Sequence, residues 1–498
     1  MLIFIILAVI LLLCLLQYKL NRRNLEILGE KIPGPKGVPL LGVLPRFFGK
    51  SNEEILAEVL EIVDCYENVA RFWLGNKLIL MIKNLDYVKS ILNSVKCLDK
   101  AFAYEFLSVN LGLISCKSNV WRFHRKYLNN CFTPKLLQSF MPIFNRSSAR
   151  MSQYMSKHLG RGEFDLYHFV GKCTLDMICT TSMGLDHDFQ GPTGDIYIQS
   201  ADILAETINK RIFNIFYHPK QIYNFTKAYV IESKAWSGLR TVSSRVIENA
   251  EKTYVKPVSS ELNVKSELRK PCIFVEQVYK LFQYTKEFDE QMLKDEIDTL
   301  IAGGNETSGM TTSFCILMMA MHPDVQERVV DELRSIFETA DDEVTQDHIS
   351  QLDYLTMVLQ ETLRLFPITP FIGREVQEDI QLDEYTLPKG ASLVIPIFKL
   401  QRQEEIWGPE AHLFNPDNFL PENVEKRHPY AWIPFSAGQR NCIGMKYSLL
   451  AMKTMLCYLL RNYKFNTTLK YSELKFKMAL DLKIVNKHMV SIEKRKFK

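Results

Sequence analysis

One cysteine of this sequence stands in a setting that suits metal ligation. Cys442 lies in the run FSAGQRNCIG, residues 435–444, directly before an apolar segment at residues 445–460 whose pattern predicts a helix. A sulfur at the start of a helix is close to unpaired backbone N–H groups and to the positive end of the helix dipole, and both favour the thiolate over the thiol. The pattern therefore predicts a thiolate at a helix N-terminus.

The residues around Cys442 suit a flat ligand that carries negative charge. The two glycines of the run let the backbone pass close to such a ligand, and Phe435 supplies an aromatic wall. Arg440 is a permanent cation that can meet an anionic group. A haem with an axial cysteine needs a thiolate, close backbone approach and a cation for a carboxylate. The plainer alternative is a buried structural cysteine; we interpret Cys442 as the ligand of a haem iron.

A second group of reactive residues lies in residues 292–322, where the pattern predicts a long, largely apolar helix interrupted by two adjacent glycines. Gly303 and Gly304 each cost a helix interior about 0.5–1 kcal/mol relative to alanine, so we expect the helix to need room beside its backbone. Thr307 follows Gly303 by one turn, so its hydroxyl can lie over that opening, and Glu306 can relay protons from solvent. Oxygen chemistry at a haem needs such room and protons; the alternative is a bent core helix with an incidental Glu-Thr pair.

Two further pairs of residues have helical spacing. Trp121 and Arg125 are four residues apart and would share a helix face. Taken alone, this spacing is typical of a tryptophan at a helix edge beside a solvated arginine. Glu361 and Arg364 are three apart in an apolar segment that ends at a proline. On a surface this pair would contribute only about 0.2–0.5 kcal/mol, and if buried it would need further hydrogen-bond partners.

Together these motifs resemble the cytochrome P450 family. The pattern F-x-x-G-x-R-x-C-x-G, the W-x-x-x-R pair, the [A/G]-G-x-[D/E]-T-[T/S] run and the E-x-x-R pair occur in family order after a proline-rich segment at residues 31–42, so the resemblance covers nearly the whole chain. It implies a mainly α fold with a small β region (α+β). In that fold the haem lies between a long central helix and the helix that follows the cysteine, and an N-terminal transmembrane helix precedes the domain.

The resemblance also implies roles for individual residues. It assigns Thr307 and Glu306 to catalysis, Cys442, Arg440, Trp121, Arg125, Arg374, Phe435, Gly303 and Gly304 to cofactor binding with Cys442 on the iron, and Glu361, Arg364 and Asn418 to a structural lock. Arg374 would reach a haem propionate, with an exposed strand arginine as the alternative. Many relatives have an arginine where this chain has Asn418, so the charge balance of the lock differs.

Several segments look like the animal microsomal branch of the family, which includes the fatty-acid ω-hydroxylases; WRFHRK at 121–126 and HPYAWIPFSAG at 428–438 are two of them. Many enzymes of that branch esterify the haem through a glutamate at the position that Gly303 occupies here. We therefore predict haem b bound non-covalently. The missing glutamate also weakens an assignment to strict terminal hydroxylation of fatty acids.

The resemblance implies a monooxygenase that inserts one oxygen atom from O2 into an apolar lipid, hormone or xenobiotic. Electrons would come from NADPH through NADPH–cytochrome P450 reductase, with cytochrome b5 as a further candidate partner. Two alternatives stay open: a haem-thiolate isomerase or dehydratase that needs no reductase, and a catalytically silent carrier of hydrophobic ligands. Residues 101–116 and 201–216 are candidate pocket walls, and the identity of the substrate is not predicted.

Composition and charge limit the kinds of partner and the cellular location that the sequence allows. The chain of 498 residues is globular in composition, and a net charge of +4 without blocks of like charge argues against nucleic acid as a partner. Residues 1–16 are almost purely apolar and are followed by Lys19, Arg22 and Arg23, which predicts a retained anchor rather than a cleaved signal peptide. We expect a transmembrane anchor in the lipid bilayer (1–19), a basic and proline-rich hinge (20–42) and a haem-binding catalytic domain (43–498) that faces the cytosol from the endoplasmic reticulum membrane.

The coarse secondary-structure pattern predicts a single helical body with a small sheet. Residues 70–74 and 77–82 flank a Gly-Asn turn and predict a pair of strands. Most of the chain from there to about residue 370 predicts helices, and residues 373–399 are β-like and punctuated by proline and glycine.

Overall fold

The structure is a computed structural model that describes residues 2–254 and 266–498, and most of this part of the chain is helical. The α-helices are α1 Leu2–Glu30, α2 Asn52–Asp64, α3 Leu85–Asn93, α4 Ser118–Leu128, α5 Pro134–Ser139, α6 Met141–Met155, α7 Tyr167–Thr181, α8 Pro192–Phe213, α9 Lys220–Tyr223, α10 Lys227–Tyr254, α11 Phe274–Tyr284, α12 Glu290–Met321, α13 Pro323–Ile336, α14 Gln346–Ser350, α15 Asp353–Leu365, α16 Ile397–Leu400, α17 Glu404–Trp407, α18 Pro421–Glu425 and α19 Met445–Asn462.

The strands form small sheets at the edge of the helical body. They are β1 Val69–Leu74, β2 Lys77–Ile82, β3 Phe164–Asp165, β4 Ile372–Glu375, β5 Ile380–Leu382, β6 Tyr385–Leu387, β7 Ser392–Ile395, β8 Tyr463–Asn466, β9 Phe476–Ala479, β10 Asp481–Ile484 and β11 Met489–Lys494. One sheet has the order β1-β2-β7-β4, with β2 and β7 parallel and the other neighbours antiparallel. A second sheet has the order β3-β11-β8, and β5–β6 and β9–β10 are hairpins. The prediction of a mainly α fold with a small β region is confirmed.

Helix α12 forms the centre of the fold. The side chain of Asp289 caps its first turn by accepting from the N–H of Met292 at 2.8 Å, and the helix ends at Met321, shortly before Pro323 begins the next helix. Its second half is buried on nearly every side, as expected for a helix that is apolar all round. It packs against α7, α15 and α19, so residues on these four helices can share one interior site.

The N-terminal helix differs from the predicted anchor. Helix α1 runs from Leu2 to Glu30, so the helical conformation extends well beyond residue 19 and the non-helical connector is confined to residues 31–42. Among the residues that the structure describes, no helix is both long enough and apolar enough to cross a membrane. The transmembrane helix predicted for residues 1–19 is therefore not confirmed.

Candidate haem site

The loop before α19 holds Cys442 three residues ahead of the first helical residue, Met445. The backbone N–H of Cys442 donates to the carbonyl oxygen of Phe435 at 2.9 Å, which closes the loop. Gly438 has φ +71°, and a Cβ at this position would overlap the carbonyl oxygen of Leu92, so only glycine fits. The loop thus delivers the sulfur to a helix N-terminus, as the sequence pattern predicts.

Two opposing effects act on the ionisation of Cys442. Its sulfur faces an internal cavity and is otherwise enclosed by protein, and this burial raises the pKa of the Cys442 thiol above its ordinary value. The N–H groups of Gly444 and Met445 and the charge of Arg125 lower the same pKa, but by less. The helix start thus favours the thiolate, as the sequence indicates, while desolvation opposes it. Coordination to a metal ion removes the proton of a thiol outright.

A cavity of about 590 Å³ joins the two groups of residues that the sequence singles out. Cys442, Phe435 and Arg440 of the cysteine loop line it together with Gly303 and Thr307 of α12. Both predicted wall segments contribute mainly apolar side chains, among them Ala101, Phe102, Tyr104, Leu107, Val109, Ala201, Leu204, Ala205, Ile208, Ile212 and Phe213. Its volume is in the range of sites for small organic molecules, about 300–1,000 Å³.

Three cationic side chains line this cavity, Lys100, Arg125 and Arg440, and a fourth, Arg374, is buried next to the lining residue Gly373. The three arginines donate to neutral groups: Arg440 to the carbonyl oxygens of Leu98, Leu113 and Cys116, Arg125 to Asn441, and Arg374 to the Gly373 carbonyl oxygen and the Ser436 hydroxyl. Within the described residues none of the four forms an ion pair with a carboxylate. Burial and the neighbouring charges of Arg374 and Arg440 hold the pKa of Lys100 well below its usual range.

Buried cations without a counter-charge are unfavourable, so the cavity fits a ligand that brings negative charge with it. Haem b is flat, apolar over its ring and carries two carboxylates, and Cys442 is placed to hold its iron. Arg374 and Arg440 are 2% and 6% exposed, and the Arg440 guanidinium lies 5.3 Å from the centre of the Trp121 ring. The residues present therefore fit a haem. Lys100 was not predicted, since no motif surrounds it in the sequence.

Helix α12 passes the cavity without a break, whereas the sequence predicted an interruption at the glycines. A Cβ added to Gly303 would meet no atom within 4 Å, so this residue leaves open space on the cavity side of the helix. The hydroxyl of Thr307 donates to the carbonyl oxygen of Gly303 at 2.7 Å. The expected room beside the backbone is present, and packing against α7 keeps the helix regular despite its glycines.

Glu306 lies on the same helix and lines the cavity. Its side chain is largely buried, so it does not exchange protons directly with bulk solvent in the way that the sequence predicts. Its Oε1 accepts from Nζ of Lys483 on β10 at 2.8 Å. Burial would raise the pKa of Glu306, but the charge and hydrogen bond of Lys483 hold this pKa below its ordinary value. The sequence gave no sign of this partner, which is 177 positions away in the chain.

The predicted Glu361–Arg364 pair is fully buried, with two hydrogen bonds of 2.7 Å between the side chains. Arg364 also donates to three carbonyl oxygens, those of Gln401, Ala411 and Leu413. Asn418 donates to Glu361 at 3.2 Å, in the place where the resemblance puts an arginine. Sequence reasoning missed Arg427, which donates to the Asn418 carbonyl oxygen. Its guanidinium carbon lies 4.1 Å from the centre of the Trp407 ring, and its charge is a second cation near Glu361.

Comparison with known proteins agrees with a haem-thiolate site. The family model described as "Cytochrome P450" matches residues 32–488. The chain is 30% identical to cytochrome P450 4c21 of Blattella germanica over 479 residues, covering 95% of each chain. It is 32% identical to the probable cytochrome P450 313a2 of Drosophila melanogaster over 492 residues, covering 96% of this chain and 97% of the relative.

This chain belongs to the cytochrome P450 family. It is an oxidoreductase of the monooxygenase class, and its cofactor is haem b, bound non-covalently with a cysteine thiolate on the iron. The relatives include the branch that contains the ω-hydroxylases, as the sequence segments indicated.

Proposed function

We propose that the protein oxidises an apolar small molecule, a lipid, hormone or xenobiotic, with electrons that NADPH–cytochrome P450 reductase supplies from NADPH. The observation that carries this proposal is that one largely apolar cavity brings Cys442 together with Thr307 and Glu306. Its mostly aliphatic and aromatic wall favours substrates with little polar surface. When bound, haem supplies an iron that activates dioxygen, with thiolate ligation favouring O–O cleavage.

The side chains around the cavity have separable tasks in this proposal. Cys442 holds the iron, while Arg374 and Arg440 offset the charge of the haem carboxylates. The Thr307 hydroxyl, which donates its proton to Gly303, presents its oxygen to the cavity as an acceptor, so it can hold water or another donor there. Glu306 provides an ionisable group one residue away for proton delivery.

The electron donor is proposed to dock on cations near the cysteine loop. Arg122 and Lys126 on α4 and Lys446 at the start of α19 are exposed. Lys453 on the same helix α19 is half-buried and donates to the carbonyl oxygen of Ile349, so it suits docking less well. Charge reversal of Lys126 is expected to slow reduction in a salt-dependent way, whereas reversal of the exposed Lys475, just before β9, should not. Cytochrome b5 would compete for the same face.

We also propose that the protein works at the endoplasmic reticulum membrane. Support comes from exposed apolar side chains in two segments, the N-terminal helix α1 with the chain just after it, and the chain that follows helix α8. They include Phe4, Val9, Leu13 and Leu16 on α1, Leu40 after it, and Phe216 and Phe225 beyond α8, of which Leu40 and Phe225 are more than 90% exposed. Large exposed apolar surfaces mark membrane or protein contacts. Carbonate extraction of microsomes tests the attachment: release of the chain into the supernatant contradicts it.

The deciding experiment combines the purified holoenzyme with the reductase and a panel of lipids and xenobiotics. Spin-state shifts identify the compounds that enter the cavity. A monooxygenase consumes NADPH and oxygen in proportion to product, whereas an isomerase or dehydratase turns over without NADPH, and a carrier gives spectral shifts without product. Turnover that is independent of NADPH would overturn the proposal.

A further inference from the structure

Lys483 occupies a junction of three elements beside the cavity. Its Nζ lies 2.8 Å from Oε1 of Glu306 on α12 and donates to Oδ1 of Asp202 on α8. Oδ2 of Asp481, on the same strand as Lys483, is 3.8 Å away. The lysine side chain is only 8% exposed, so its charge is held where water screens it little. One buried cation therefore interacts with three carboxyl groups, those of Glu306, Asp202 and Asp481.

The groups that face Glu306 come from every neighbouring element. They are Tyr167 on α7, Asp202 and Tyr197 on α8, and Asp481 and Lys483 on β10. Lys483 is the only cation among them within the described residues. The carboxyl group of Asp481 lies against that of Glu306, and a hydrogen bond between the two lowers the pKa of Glu306 and raises the pKa of Asp481. Burial and the adjacent Glu306 carboxylate raise the pKa of Asp481 well above its usual range, whereas Lys483 lowers the pKa of Glu306, so a proton shared by the two carboxyl groups favours Asp481.

We propose that Lys483 is the positioning residue that sets the charge state of Glu306 and, by sharing itself with Asp202, makes proton delivery depend on the position of α8. The inference deepens the proposed function and rests on it, since it assumes that Glu306 delivers protons to the cavity.

The coupling to α8 follows from where that helix lies. Ala201, Leu204 and Ala205, which flank Asp202 on α8, line the cavity, so a substrate that presses on this wall acts on the same helix turn. When Lys483 moves toward Asp202, the Glu306 carboxylate loses its counter-charge and its affinity for a proton rises. The carboxyl group of Asp481 can then transfer its proton to Glu306, which passes it on to an acceptor in the cavity, and a hydronium ion from bulk solvent protonates Asp481 again. Asp202 is about half exposed and gives this cluster a contact with solvent.

A purely mechanical role for Lys483 makes different predictions, and the chain offers a matched control. Lys477 on β9 pairs with Glu206 on α8 at 2.6 Å, so it also ties the β9–β10 hairpin to α8. Neither residue lines the cavity, and Lys477 does not touch Glu306. K477M therefore removes a similar tie between the same two elements and leaves the charge beside Glu306 in place.

The test uses the holoenzyme and two readouts. Infrared titration follows the carboxyl band of Glu306, identified by its loss in E306Q, and a parallel assay measures hydrogen peroxide released per NADPH across pH. In K483M we expect both profiles to move to higher pH by roughly 1–3 units, the effect of losing an adjacent opposite charge. K483R should restore them, K477M should match wild type, and D202N should move them to lower pH because Lys483 then belongs to Glu306 alone.

The outcomes separate the inference from the proposed function. Equal profiles in K483M and K477M overturn the inference, and so does a K483M infrared profile that matches wild type. If the infrared shift occurs but E306Q releases no more peroxide than wild type, Lys483 still sets the charge of Glu306, and it is the proton-delivery role of Glu306 that fails. D202N gives a milder test should K483M fold poorly, and an unshifted D202N infrared profile counts against the coupling to α8.

Discussion

Thr307 donates its hydroxyl proton to the carbonyl oxygen of Gly303 at 2.7 Å, one helical turn earlier and directly beside the open face of α12. This bond fixes the hydroxyl at the cavity wall and satisfies its donor, so its oxygen is left as the acceptor. The relationship explains how an unbroken helix can present a polar atom to an otherwise apolar cavity.

Thr307→Ala removes that oxygen and should leave haem binding intact while oxygen consumption becomes unproductive. General acid–base groups contribute about 100-fold or more to a proton-transfer step, so we expect product per NADPH to fall by about ten-fold or more, with peroxide rising to match. Thr307→Ser keeps the hydroxyl and is the control. Equal coupling in the alanine and serine variants would refute a role for the hydroxyl.

Lys100→Met should have opposite effects on the two forms of the protein. Without haem, the substitution removes a buried amino group whose protonation burial and the charges of Arg374 and Arg440 disfavour, so the free energy of unfolding of the apoprotein should rise. With haem, the substitution removes a cation available to a haem carboxylate, an interaction worth about 1.5–3 kcal/mol. The affinity for haem, measured by transfer to apomyoglobin, should therefore fall roughly 10- to 100-fold.

Denaturant unfolding and haem transfer measure these two effects. Lys96→Met, four residues earlier in an exposed ion pair with Glu378, should change neither quantity appreciably. A K100M apoprotein that is less stable than wild type would show that Lys100 is not under like-charge repulsion.

Arg364→Ala leaves the Glu361 carboxylate buried without its main partner and also frees three carbonyl oxygens. Breaking a buried ion pair in this way costs about 3–5 kcal/mol, and denaturant unfolding of the haem-loaded protein should show it. The control is Lys294→Ala, which breaks an exposed pair with Glu290 on α12 and should cost only about 0.3–0.5 kcal/mol. Similar losses in the two variants would mean that the buried lock contributes little.

His488 gives the protein a sensitivity to acid. It is 2% exposed, packs edge-on against Phe314, and burial lowers its pKa to about 3. The unfolded chain, with a pKa near 6.5 at this residue, binds the proton first, so stability is full above about pH 6.5 and falls as the pH drops toward 3. The slope from this residue approaches about 1.4 kcal/mol per pH unit.

His488→Leu should remove that part of the slope when unfolding is measured between pH 6.5 and 4, whatever its effect at neutral pH. The exposed His412 is the control site, and His412→Leu should keep the wild-type slope. An unchanged slope in H488L would place the acid sensitivity elsewhere.

The features that sequence reasoning predicted are mostly local. The cysteine loop, its glycine at residue 438 and the strand pair β1–β2 follow from short runs whose backbone geometry is set by neighbouring residues. The strands after Asn462 were not predicted, since β8 pairs with β11 across more than twenty residues and each is too short to stand out.

The features that it missed are set by tertiary contacts. The raised pKa of the Cys442 thiol comes from burial, which no local pattern reports. Lys100 and Lys483 reach the site from segments without a motif, and the Glu306–Lys483 pair joins positions 177 apart. The expected break in α12 was wrong because packing on α7 outweighs the modest cost of two glycines.

The central claim is that Cys442 binds the haem iron as a thiolate. The reduced protein should give, with carbon monoxide, the red-shifted Soret band typical of thiolate ligation, and Cys442→Ala should lose it. Cys65→Ala, which changes an exposed cysteine away from the cavity, should retain the band. A C442A protein that still shows the thiolate-type spectrum would contradict the account.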